Sequence, residues 1–141
     1  MHSTMLTPML ALIVWTFVIW LWMYVTRIPA MRAAGIDPAR IKRKEELDPL
    51  PVAVKQIADN YNHLHEQPTV FYALAIYTHL VGIADPLNIA LAWTYVGLRV
   101  LHSLIQCIWN VVPVRFAVFA LASITLIVIA LRNVLALLAT G

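Results

Sequence analysis

The sequence predicts an all-α integral membrane protein, a four-helix bundle forming a single domain over residues 1–141, and three observations carry that reading. Of its 141 residues 62% are hydrophobic and 12% charged, whereas a soluble domain runs at about 45–50% and 25%. Four apolar stretches each approach the roughly 20 residues a helix needs to cross a hydrocarbon core. Most charges concentrate in one segment, between the first two stretches. The net charge of +3, from ten Lys and Arg against seven Asp and Glu, is too mixed for a nucleic-acid-binding patch, so no nucleic-acid partner is expected. Cys107 is the single cysteine, which excludes an internal disulfide and a thiolate metal cluster from one chain; no metal site is expected.

The first span covers about 6–25. Its flank from Met1 to Thr4 carries no Lys or Arg and its far end is rich in Trp rather than small residues, so it reads as a retained helix and not a signal peptide. A solvated loop follows over about 27–55. It holds Arg27, Arg32, Arg40, Lys42, Arg43, Lys44 and Lys55, several acidic residues, and Pro38, Pro49 and Pro51. Most of these charges read as surface, with Arg27 and Arg32 placed to reach lipid headgroups. Counting Lys and Arg puts this loop in the cytoplasm and both termini outside. The second span, about 59–84, carries the polar run Asp59 to Gln67 at one end. Pro68 within it cannot donate to the carbonyl of Leu64, which predicts a bend. The Asp85-Pro86 pair makes a short turn, so the third span, about 87–109, becomes an antiparallel neighbour of the second. Asn110 to Val114 makes the next turn and the fourth span covers about 115–138. Arg132 and Asn133, near its end, are assigned no function, the arginine snorkelling outward.

At 100° per residue, Asp59, Asn62, His63 and Glu66 share a sector of about 100°, extended by Asn60 and Gln67. In the third span Tyr95, Arg99, His102, Ser103, Gln106 and Asn110 form a second polar stripe. An acidic side chain facing lipid costs on the order of 2.5–3.5 kcal/mol, so both faces turn inward. Counted from the Asp85 turn at 1.5 Å per residue, Glu66 and Gln106 lie roughly 28 Å deep, His102 roughly 22 Å and Arg99 roughly 18 Å. The groups therefore converge in the cytoplasmic half, where Arg115 at the start of the fourth span reaches the same mouth. Intramembrane ionisable groups usually mark a ligand or ion site, which singles out Glu66 and Arg99. Asn, His and Ser at helix interfaces often only join neighbouring helices, and a structural Arg99–Glu66 ion pair is the corresponding bland reading. Cys107 lies off the stripe and reads as packing.

The run Asn60-Tyr61-Asn62-His63-Leu64-His65-Glu66-Gln67-Pro68, followed by Phe71-Tyr72, resembles the second-helix signature of the MAPEG family, the membrane-associated proteins of eicosanoid and glutathione metabolism. The segment Gly97-Leu98-Arg99-Val100-Leu101-His102-Ser103, then Asn110 and Val114-Arg115-Phe116, is similar to the third-helix and turn signature of its microsomal glutathione transferase branch. The resemblance covers essentially the whole chain. It implies a bacterial-type inner-membrane member, a homotrimer of four-helix protomers in membrane lipid, with a glutathione co-substrate site between subunits that opens to the cytosol. The chain would then be a transferase or peroxidase acting on lipophilic small molecules. Carried over by position, Asn62, Glu66, Asn60, His102 and Gln106 would bind glutathione, and Arg115 and Arg99 would be catalytic. Two positions depart from the pattern: Ala58 stands where an Arg is usual one turn before Asn62, and Gln106 where a phenol is common. A proton-coupled transporter using Glu66 and His102, or a noncatalytic lipophile-binding protein, remains the alternative from the residues alone.

Overall fold

A computed structural model describes residues 4–141, and the regular structure among them is helical throughout. The elements are α1 (Leu6–Ala33), two short 3₁₀ turns (Pro38–Arg40 and Lys44–Leu47), α2 (Val52–His63), α3 (Gln67–Leu80), α4 (Pro86–Leu104) running into one π-helical segment (Ile105–Trp109), and α5 (Val112–Thr140). α1, α4 with its π segment, and α5 are each long and apolar enough to cross a membrane. The bundle has a loop end, where α1 gives way to α2 and α4 to α5, and a turn end at Asp85.

Two boundaries differ from the sequence reading. α1 continues eight residues beyond position 25, through Pro29, and stops at Gly35, whose φ of +69° makes the left-handed turn. There the N–H of Ile36 donates to the carbonyl of Met31 at 2.9 Å, so glycine, and not the first arginine, sets the helix end. Arg27 and Arg32 are thus helical. The second span is not one bent helix. It breaks completely over Leu64–Glu66, between α2 and α3. Pro68 sits in the first turn of α3, where its missing N–H costs nothing. A continuous helix would have lost the bond to Leu64 and met a ring clash. In that first turn the Thr69 hydroxyl donates to the Glu66 carbonyl at 2.6 Å. With 14 residues α3 spans only roughly 21 Å, so the polar end of α2 lies near the membrane surface.

In the bundle α1 packs against α2, α3 and α4, while α5 packs against α4 and α3. α3 and α4, consecutive in the chain, face each other across the centre through Phe71 stacked on Tyr95 at 4.6 Å. Their backbones lie closer to α1 and α5 than to each other. Ala75, Ala92 and Ala122 are fully buried, small residues that let these helices approach. At the turn end Asp85 caps α4 by accepting from the Asn88 N–H at 2.8 Å. Arg132 of α5 reaches the turn end, where it donates to Asp85 at 2.6 Å and to Asn88 Oδ1 at 2.8 Å. Buried Asn133 donates to Thr78 Oγ1 at 2.9 Å.

Candidate functional site

A cavity of about 420 Å³ opens at the loop end, a size within the range of small-molecule sites. Its walls come from four parts of the chain. α2 and the break after it supply Asp59, Asn62, His63 and Glu66; α4 and the π segment supply His102 and Gln106; α5 supplies Arg115, Phe116 and Phe119; the second 3₁₀ turn supplies Lys44. The break after His63 matters here. Because the backbone leaves the helix at Glu66, with ψ of −99°, the carboxylate is set at the mouth, 68% exposed.

The π segment and the turn behind it place the basic wall. Asn110, at φ +52°, ends the segment in the left-handed region, a conformation asparagine tolerates better than most residues. Its side-chain oxygen accepts from Arg115 at 2.7 Å, which orients that guanidinium beside the cavity. Asn110 therefore serves as a cap rather than as the last member of a helical stripe.

Behind the wall lies a chain of polar contacts. Arg99 is fully buried and one of its terminal nitrogens lies 3.3 Å from His63 Nε2; Nδ1 of the same ring lies 3.4 Å from a Glu66 carboxylate oxygen. Since the guanidinium can only donate, Nε2 is the acceptor and the Nδ1–H points to Glu66. The bland alternative of a direct Arg99–Glu66 ion pair is not what forms: an imidazole bridge joins the two, because His63 lies between the charges. Phe119 closes the group, with the Arg99 guanidinium 5.8 Å from its ring centre and His63 at 5.4 Å.

Of the residues expected at the site, Asn62, Glu66, His102, Gln106 and Arg115 line the cavity. Asn60 and Arg99 stand behind it. Asn60 is fully buried and donates to Gln106 Oε1 at 2.9 Å, so it positions a wall residue rather than forming the wall. Tyr95 reaches away from the mouth, donating to Gln67, which in turn donates to Ser123 of α5. Cys107 is buried, and its carbonyl accepts from Gln56. Sequence reasoning missed Lys44, taken as a solvated loop charge, and Phe119, one apolar residue among many in α5. Neither carries a periodic signal. Five polar atoms of this region are buried without a partner: Asn60 Oδ1, Arg99 Nε and its second terminal nitrogen, His102 Nδ1 and Ser103 Oγ. A cavity lined by both acids and cations, with spare Arg99 donors behind it, suits a small zwitterion with carboxylates.

Compared with known proteins, residues 5–135 match the model of the MAPEG family. The chain belongs to the MAPEG family. No match was found among curated proteins or among solved structures. As a MAPEG membrane protein it uses its three long apolar helices as span candidates, and the polar loop-end cavity is framed by the residues that carried the sequence resemblance. Of the two departures, Gln106 lines the cavity and is held by Asn60, whereas Ala58 is buried in α2 outside its walls.

Proposed function

We propose that this MAPEG protein binds glutathione in the loop-end cavity and conjugates it through its sulfur to lipophilic electrophiles, or uses it to reduce them. The observation that carries the reading is that one cavity presents charges of both signs, Asp59 and Glu66 from α2 and the break after it, Lys44 and Arg115 from the second 3₁₀ turn and α5. Glutathione presents an ammonium, two carboxylates and a thiol. Glu66 takes the ammonium, Asn62 a peptide group, and Lys44 and Arg115 the carboxylates and the sulfur. A thiol becomes a good nucleophile as thiolate, and a cation beside it raises that fraction. Arg115 lines the cavity and Arg99 does not, so Arg115 is the candidate catalytic residue, with Arg99 a positioning residue that acts through His63. In conjugation the thiol proton leaves to solvent, the sulfur forms a bond to the electrophilic carbon, and the leaving group departs with its electron pair.

The site belongs to an oligomer in this reading. The Glu66 side chain is two-thirds exposed, and a neighbouring protomer of a homotrimer would close the open side. Apolar faces also remain uncovered on the long helices, only 17% of the most apolar window of α1 and 28% of that of α5 being buried. The basic loop faces the cytoplasm, so glutathione enters from the aqueous side and the electrophile from lipid, in a bacterial inner membrane.

The test is calorimetric titration of the detergent-purified protein with glutathione, with an aryl halide turnover assay beside it. Saturable binding that is lost in E66Q and R115A is expected. Absence of saturable binding by the unmodified protein removes the proposal; binding without turnover removes its catalytic half.

A further inference from the structure

A second cavity, of about 540 Å³, lies on the other side of the loop end, between the last turns of α1 and the segment 36–47. Its α1 wall is Tyr24, Arg27, Ile28, Met31 and Arg32. At 100° per residue, Tyr24, Ile28 and Met31 fall in the sector between the two arginines, so an apolar strip runs between two cations. Ile36, Ile41 and Leu47 form the facing wall, and no acidic residue lines the groove.

The position along the membrane normal follows from length. With 28 residues α1 measures roughly 42 Å against a hydrocarbon core of roughly 30 Å, so its final turns, with Arg27 and Arg32, stand among headgroups. The nearby acids are engaged elsewhere: Asp37 accepts from the Ala39 N–H and pairs with Arg40, while Glu46 accepts from the Lys42 N–H. Ion pairs among the described residues join Arg40 to Asp37, His63 to Glu66 and Arg132 to Asp85, and Arg27 and Arg32 take part in none. Arg27 also borders a neighbouring cleft with Asp48 and Asp59, without forming an ion pair to either.

We propose that this groove binds an anionic phospholipid, its phosphate held by Arg27 and Arg32 and an acyl chain laid along Ile28, Ile36 and Ile41. The charge is complementary, and the apolar walls between and opposite the cations fit a headgroup that carries a chain rather than a free anion. A zwitterionic lipid would bring its own cation against the same two arginines.

The full-length protein, purified in detergent, is titrated in native mass spectrometry with phosphatidylglycerol, with phosphatidylcholine and with inorganic phosphate. Phosphatidylglycerol is expected to be retained in preference to both. A surface cation contributes about a fivefold factor to anionic-lipid binding, so R32Q should weaken retention about fivefold and the R27Q/R32Q double variant on the order of twenty-five-fold. R27K/R32K should keep most of it and R40Q, outside the groove, all of it. Equal retention of the two lipids overturns the proposal, as does an R27Q/R32Q protein that keeps its preference. Inorganic phosphate competing at equal concentration assigns the groove to free anions instead. A change of oligomer mass in R27Q/R32Q with lipid retention intact assigns it to a second copy of the chain.

Discussion

The two ends of the bundle solve the same problem in opposite ways. Each must hold polar side chains inside an apolar protein. At the turn end Asp85, Asn88 and Arg132 bond to one another and Thr78 and Asn133 pair; among the described residues the buried atoms without a partner outside the loop end are Asn133 Oδ1 and Trp15 Nε1. At the loop end five buried atoms lack one, although Asn60, His63, Glu66, Arg99 and Gln106 are packed closely enough to share bonds. Unmet hydrogen-bonding capacity costs about 1–3 kcal/mol per group. A fold that leaves more of it beside a cavity at one end than elsewhere among the described residues separates a clamp from a polar cavity.

That comparison can be broken by substitutions that move one end and not the other. The largest effect is expected on ligand binding. R115A or E66Q should weaken glutathione about thirtyfold or more, the scale for removing one partner of a charged contact, while thermal unfolding in detergent shifts by less than about 0.5 kcal/mol because both groups are partly exposed. A large loss of stability in E66Q would show that the loop-end acid is structural after all.

R99M comes next and sharpens the contrast. Replacing a buried charge by an apolar side chain of similar length is often neutral or stabilising by about 1–4 kcal/mol, so R99M should unfold no earlier than the unmodified protein. It should nevertheless bind glutathione several-fold more weakly, since His63 loses the donor that orients it towards Glu66. Marked destabilisation, read from the same melts, would place Arg99 among the structural residues of the bundle.

At the turn end the effects are smaller and reversed. N133A should cost about 1 kcal/mol by removing a buried hydrogen bond, and a double-mutant cycle with T78A should recover a coupling of about 0.6 kcal/mol, the average for such pairs in membranes. R132A should cost less still, at most about 1 kcal/mol, because the pair with Asp85 is partly exposed. Neither should change glutathione affinity in calorimetry; a change would mean that the two ends communicate.

Much of the loop-end site was legible before folding because a helix repeats its geometry. Asp59, Asn62, His63 and Glu66 on one face and His102 and Gln106 on another can be read from the period alone, and the cost of acids in lipid points both faces inward. The period could not say which residue of a stripe reaches the cavity. Asn60 and Arg99 belong to their stripes yet stand one layer back, since the packing of neighbouring helices, Gln106 against Asn60 and His63 against Arg99, decides depth. Nor could it reveal Lys44, which reaches the site only because the 3₁₀ turn folds back over the mouth.

Composition, apolar length and helical periodicity by themselves determined that the chain is a helical membrane bundle with a polar lining near one end, because burial costs in lipid are paid residue by residue and can be counted along a sequence. Only the tertiary structure decided that the second span breaks at Leu64–Glu66, that His63 separates Arg99 from Glu66, and that Arg132 pairs with Asp85. Each of these depends on which group from a distant part of the chain stands within about 3 Å, the reach of a hydrogen bond, and spacing along a helix carries no record of that.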